Sequence, residues 1–166
     1  MTYIKAYDIF VCTNNRGDIM NENMDLTDTE CQLNSCLFFS LSKVSRALKK
    51  EADNRFAVTG LSPSHAFILY IVCLKQRIHQ KEVGDYLMLT PSTVTRFVEK
   101  LESKKLVRKE VEGKNVYLCA TPQGEALKAH VMEAWNNLNR AINSTLSDEE
   151  KKLYIELNNK ILTHFD

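Results

Sequence analysis

Ser92, Thr93, Thr95, Arg96 and Lys100 lie close together in the chain, directly after Thr90-Pro91. A guanidinium matches two acceptors at once on a guanine edge or a phosphate. Hydroxyls reach most base edges, and an ammonium meets a phosphate as a point charge. Lys104, Arg108, Lys114 and Asn115 continue the same chemistry downstream, and Gln80 precedes it at the start of a short polar segment. From Leu89 to Val116 there are seven basic residues and four acidic ones, an excess of three in a chain whose net charge is +1. Positive charge is therefore concentrated here and offset elsewhere, as a nucleic-acid footprint requires. Taken alone, Ser92 to Arg96 also fits a solvated helix face, and Lys114-Asn115 a solvated hairpin turn.

These groups need a helix and a ribbon to position them. Val94, Phe97, Val98 and Leu101 recur at i, i+3, i+4 and i+7 and so share one inward face. Thr90 is a suitable N-cap and Pro91 a suitable first-turn residue. A shorter helix opens at Gln80. Beyond Leu106, strand formers (Val107, Val111, Val116, Tyr117, Leu118) flank Gly113, which supplies the positive φ of a tight hairpin. Helix, turn, helix and basic-tipped ribbon, in that order, make a winged helix-turn-helix, whose second helix enters a major groove.

Helix starts are well marked elsewhere. Ser62-Pro63 and Thr121-Pro122 repeat the cap-plus-proline pair, while Thr27-x-x-Glu30 and Ser147-x-x-Glu150 are capping boxes. The expected inventory is six helices and one hairpin. The long helices near 28–50, 122–144 and 148–165 carry more apolar surface than one winged-helix core can cover. Cys31, Leu37, Leu41, Val44 and Leu48 lie on the first, and Leu153, Leu157, Ile161 and Leu162 on the last. Helices pairing across a two-fold axis would use that surplus and set two recognition helices roughly 34 Å apart. The expected architecture is mainly α with a small β-wing. Residues 61–120 form the winged helix-turn-helix, 27–60 and 121–166 a helical dimerisation region, and 1–26 an extension of unclear role.

Composition bounds the function. The longest apolar run, Ala66 to Leu74, falls short of the roughly 18 residues of a membrane span, and the N-terminus lacks a signal-peptide pattern. A cytoplasmic protein without membrane attachment is expected. There is no phosphate-cradling glycine loop, nucleophile elbow or HExxH motif, so neither an enzyme nor a cofactor is expected. The five cysteines are odd in number and irregularly spaced, which favours reduced thiols over a disulfide framework. The four histidines make no close cluster, so no metal site is expected.

The segment 61–124 resembles the MarR family of bacterial transcriptional regulators, with a weaker likeness over roughly 29–165. The residues carrying it are Leu61-Ser62-Pro63, Gln80-Lys81-Glu82-Val83, Ser92-Thr93-Val94-Thr95-Arg96 with Leu101, Leu106-Val107-Arg108, and Thr121-Pro122-Gln123-Gly124. The resemblance implies a homodimeric regulator that binds double-stranded DNA and is released by a small-molecule inducer or by oxidation, usually a repressor. The chain departs from the family in its short wing, in Glu112-Gly113-Lys114 where the family has Asp-x-Arg, in Lys105 at a position usually glycine, and in His79 where a Ser or Thr cap is usual. Lysine tolerates a left-handed C-cap poorly.

The resemblance also implies a ligand cleft between reading head and dimer helices. Phe39, Arg46, His65 and Trp135 are its candidate lining, though core packing is the competing reading for Phe39 and Trp135. Cys36 and Cys31 are the candidate redox thiols of the expected first helix. The family's peroxide-sensing branch has its cysteine where this chain has Phe38, and Cys36 lies about 200° round the helix from there. Two other readings stand beside the regulator: a winged-helix protein-interaction module without DNA binding, and a thiol-based redox-sensing regulator.

Overall fold

Thr90 and Thr121 stand in extended backbone immediately before a proline, and each hydroxyl accepts an amide of the helix it opens, Thr93 N and Gly124 N respectively. Such caps satisfy first-turn donors that have no partner within the helix. The computed structural model describes Leu33 and residues 35–165. Among these the elements are α1 (Leu37–Phe56), a 3-10 turn (Ala57–Thr59), α2 (Pro63–Lys75), β1 (Arg77–His79), α3 (Gln80–Leu87), α4 (Pro91–Ser103), β2 (Val107–Glu112), β3 (Asn115–Ala120), α5 (Pro122–Asn143) and α6 (Asp148–Phe165). The Thr27 capping box, Cys12, Cys31 and the 1–26 extension lie outside the described residues.

Backbone contacts divide the chain after Lys50. In the first unit, α1 exposes Leu37, Phe38, Val44 and Leu48. The helix continues to Phe56, past the end near residue 50 that the spacing suggests, because no proline or glycine interrupts it before Gly60.

The second unit, Glu51–Asp166, is built on α2, which buries Ala66, Ile68, Leu69, Val72 and Cys73. A helix apolar on nearly every side belongs at the centre of a core. Val83 of α3, Val94, Val98 and Leu101 of α4, Ile78, Val107 and Leu118 of the sheet, and Val131, Ala134 and Leu138 of α5 close round it. Trp135 joins this core through edge-on contacts with Phe67 (5.1 Å) and Tyr70 (5.4 Å). The apolar face of α5 is thus spent within the chain. That of α6 is not: the helix has no buried residue, and Leu153, Ile155, Leu157 and Leu162 are exposed.

The sheet has a third strand beyond the expected hairpin. Its order is β1-β3-β2, all antiparallel, with Arg77 opposite Cys119 and Arg108 opposite the same cysteine from the other side. Because side chains alternate, one face carries Ile78, Leu118 and Val107 into the core, and the other carries Arg77, His79, Tyr117, Arg108, Glu110 and Glu112 outward.

Lys105 departs from the sequence expectation. It takes the left-handed conformation at φ 58°. Its amide donates to Glu102 O (2.8 Å) and that of Leu106 to Leu101 O (3.0 Å), the double bond pattern of a Schellman cap. Leu101 and Leu106 are both buried. The strain of about 1–2 kcal/mol for a side chain at positive φ is offset by two satisfied carbonyls and that apolar burial. His79 also caps where a hydroxyl is usual: its Nδ1 accepts from Lys81 N (3.1 Å), while the Glu82 carboxylate accepts from His79 N (3.0 Å). At Ser62 the expected cap bond is not made, and the hydroxyl instead lies 2.6 Å from His65 Nδ1.

Candidate nucleic-acid interface

The inward face of α4 is Val94, Val98 and Leu101, all buried, with Phe97 half-buried. This fixes the opposite stripe. Ser92, Arg96 and Lys100 follow at four-residue steps and Lys104 lies just past the helix end, all exposed. Among the described residues, none of Arg96, Lys100 and Lys104 has a carboxylate within ion-pair distance. Their fields converge on one side chain. Burial first, then Lys100, Lys104 and Arg96, hold the His65 imidazole below its ordinary pKa.

The short polar side chains of α4 are less free. The Thr90 hydroxyl lies 2.9 Å from that of Thr93 and 3.2 Å from that of Ser92. Thr95 donates to Pro91 O (3.0 Å) and accepts from Gln80 Nε2 (3.0 Å), so α3 and α4 are joined through two expected contact residues. Each hydroxyl keeps acceptor capacity, but Arg96 is the group on this face with an unspent fork of donors.

The wing turns through Gly113-Lys114 between Glu112 and Asn115, with Gly113 at φ 61°. A positive φ at the first central position is what a type II′ hairpin turn demands. Lys114 and Asn115 are exposed at the tip. Lys114 also borders a cleft of about 260 Å³ whose floor includes Gly84, Leu89 and Val94 and whose rim includes Gln80 and Lys81, so the wing tip stands beside the start of α3. Arg108 is paired with Glu110 in the wing, and Lys109 with Glu102 of α4 (3.0 Å).

Sequence reasoning missed Arg77. Its guanidinium carbon lies 3.6 Å above the centre of the Tyr117 ring, its Nε donates to Glu110 (3.1 Å), and its NH2 group pairs with Glu112. The hydrogen bonds from Arg77, then from Arg108, hold the Glu110 carboxyl below the usual carboxylate range. Two of the acidic charges that dilute the wing's basic character are thus ion-paired, in part by a residue from outside the segment. A lone arginine opening a three-residue strand gives no periodic signal, and its partners lie 33 and 35 residues downstream.

Of the expected ligand residues, His65 tilts against Phe97 (ring centres 4.7 Å apart) and, with Arg96, Glu99, Lys100 and Ser103, lines an open cleft of about 480 Å³. Trp135 is in the aromatic core instead. In the first unit, Phe39 is half-buried, and Arg46 lies along a shallow groove with Phe38, Leu41, Ser42 and Ser45.

The described thiols differ in access. Cys36 is exposed, whereas Cys73 and Cys119 are buried. Burial, then the nearby Glu125 carboxylate, pushes Cys73 up to about 11. Burial and then Glu110 also raise Cys119. Since the thiolate is the reactive form, brief native alkylation read by mass spectrometry is expected to modify Cys36 and leave Cys73 and Cys119 unmodified until denaturant is added. Modification of Cys73 at the rate of Cys36 would contradict this packing of α2.

Residues 59–115 match the family model described as MarR family. The HTH-type transcriptional regulator SarZ of Staphylococcus aureus is 27% identical over 101 residues, covering 59% of this chain and 67% of that protein. Among solved structures, the fold is similar to S. aureus MepR in its DNA complex (TM-score 0.72, 19% identity, 79% of this chain and 98% of that one). It is also similar to the PcaV transcriptional regulator of Streptomyces coelicolor in complex with its natural ligand (TM-score 0.73, 18% identity, 81% and 96%). The matched segment runs from the end of the 3-10 turn to the tip of the wing, through the helices that carry the basic stripe: over these residues the chain is similar to the MarR family of winged-helix regulators.

Proposed function

We propose that this chain is a sequence-specific DNA-binding transcriptional regulator that acts as a homodimer. The observation that carries the reading is the exposed stripe Ser92, Arg96 and Lys100 on α4 with Lys104 just past its end, where Arg96 and both lysines are clear of carboxylates among the described residues. Arg96 would read a base edge. Ser92, Thr93, Thr95 and Gln80 would support it with short contacts, and Lys100, Lys104, Arg108, Lys114 and Asn115 would hold phosphates. The MepR structure is, by its description, a DNA complex, and SarZ is described as a transcriptional regulator. The uncovered apolar residues of α1 and α6 support pairing of two copies, with 27–60 and 121–166 as the pairing region and 61–120 as the reading head.

Such a regulator needs a signal that favours one spacing of its two heads over another. PcaV is described in complex with its natural ligand. A small-molecule inducer seated at His65, near the cations of α4, is our reading here, with Phe39, Arg46 and Trp135 as further candidates and Cys36 and Cys31 as the oxidation alternative. Repression of a target promoter, relieved by that signal, is the proposed outcome.

Fluorescence anisotropy against duplex DNA from upstream of the protein's own gene, with a scrambled duplex as control, tests the reading. Tight binding that prefers the native sequence, weakens steeply with salt and saturates at two protomers per site is the expected result. Weak binding without sequence preference would favour a winged-helix protein-interaction module, for which the short wing and its missing arginine speak. Lys114→Ala is expected to weaken binding to every duplex alike and to lower the salt slope by about one per bound protomer. An unchanged slope would remove the wing tip from the contact set.

A further inference from the structure

We propose that Arg77 is the positioning residue of the wing, fixing the angle at which Lys114 and Asn115 are presented. The proposal rests on the DNA-binding reading above and deepens it. β3 is the central strand, and the outward face of the sheet runs Arg77 and His79 on β1, Cys119 and Tyr117 on β3, then Arg108, Glu110 and Glu112 on β2. From β1 the Arg77 side chain crosses the whole sheet. It lies flat over Tyr117 at 3.6 Å, and its two ends hold Glu110 and Glu112.

A planar guanidinium does what an ammonium cannot: it stacks on a ring and forks to two carboxylates in one geometry. The tip is a free two-residue turn, and Glu112 is the last β2 residue before it. A hairpin held only by its own ladder can swing and twist, since an isolated two-stranded ribbon is marginal in water. β1 pairs with β3 through Tyr117 and Cys119, and stops short of the tip residues Val116 and Asn115. Arg77 is therefore the tie from the body of the domain to the outer end of β2. His79 supports it from the same strand, with its ring edge-on to Tyr117 at 5.4 Å.

The test uses the full chain. Hydrogen exchange of the amides from Val111 to Val116 is measured in the free protein. Arg77→Gln and Arg77→Lys are both expected to exchange faster there, with the amides of α2 and α5 unchanged; Glu110→Gln/Glu112→Gln, which removes the partners instead, is expected to loosen the same amides. DNA affinity is then measured in a cycle with Lys114→Ala. Arg77→Gln is expected to weaken binding roughly three- to tenfold, the range of an exposed stack with ion pairs, and to have almost no further effect once Lys114 is gone. Equal protection of the wing in wild type and Arg77→Gln would overturn the proposal. So would full function of Arg77→Lys, which keeps the charge without the fork, or additive effects in the cycle, which would mean that Arg77 touches DNA itself. If the wild type binds no duplex, the proposed function falls, and the exchange measurement by itself decides whether Arg77 holds the wing.

Discussion

Gly124→Ala is expected to destabilise the domain by about 3 kcal/mol, the upper end of what overpacking costs, and to lower the melting temperature by roughly 6–12 °C for a chain of this size. Gly124 sits in the first turn of α5, where its amide is the donor that caps on Thr121 (3.1 Å). The Thr121 hydroxyl donates in turn to Lys105 O (2.6 Å), and the Thr121 amide to Leu106 O (3.1 Å). These bonds draw the start of α5 flat against the backbone that leads into β2. A Cβ on Gly124 would fall 2.1 Å from Leu106 O and 3.1 Å from Leu69 Cδ1. The first neighbour is backbone, held by the Schellman cap on one side and by Thr121 on the other, so it cannot swing aside as a side chain would. Relief requires α5 to lift and to give up part of the packing of Val131 and Ala134 on α2. Gly113→Ala is the control: at φ 61° it is strained, but its Cβ would meet nothing within 4 Å, so its cost is about 1–2 kcal/mol. Thermal melts that place Gly124→Ala within 2 °C of wild type, a margin of less than about 1 kcal/mol, would refute this account of the α5 junction.

Gly124 also marks where the sequence stopped being readable. Thr121-Pro122 announces a helix, and the cap is made as local chemistry dictates, as it is at Thr90-Pro91 and in the Ser147 box, where Ser147 N donates to Glu150 (2.7 Å) and Glu150 N to Ser147 Oγ (3.2 Å). Caps are legible because donor and acceptor lie within three residues. The inward face of α4 is legible for the same reason, since period alone selects Val94, Val98 and Leu101. The close approach of Gly124 to Leu106 is tertiary, and no pattern around Gly124 encodes it. The third strand was hidden because Arg77-Ile78-His79 is too short to show alternation. It becomes a strand because β3 offers an edge to pair with.

The candidate site divides along the same line. That Arg96 and Lys100 face outward follows from helical spacing. That Gln80 spends its amide on Thr95, or that Arg77 pairs with the carboxylates of the wing, depends on contacts 15 to 35 residues apart in sequence. Lys105 shows the opposite error. Lysine's reluctance to adopt positive φ is real, but it amounts to about 1–2 kcal/mol, and the burial of Leu101 and Leu106 together with two cap bonds outweighs it.

Arg96→Ala is expected to weaken binding to the preferred duplex roughly 5- to 150-fold, corresponding to about 1–3 kcal/mol, and to flatten the preference among sequences. The location of Arg96 makes it the strongest candidate on α4. It follows the first turn of the helix, where a recognition helix meets base edges, and it is exposed, with no carboxylate partner among the described residues. The hydroxyls around it are already engaged with Thr90, Pro91 or Gln80. Within the protein its aromatic neighbour is the Phe97 ring, 5.6 Å from the guanidinium carbon. Removal should therefore change stability by no more than about 0.5 kcal/mol, as at ordinary surface positions, so any loss of binding reports on DNA. Arg96→Lys separates charge from geometry. An ammonium restores attraction to phosphates but not a two-pronged match to a guanine edge, so it should recover affinity for the scrambled duplex and leave discrimination low. If Arg96→Ala binds its preferred duplex as tightly as wild type, α4 is not the reading helix, and the basic stripe serves only to hold the backbone.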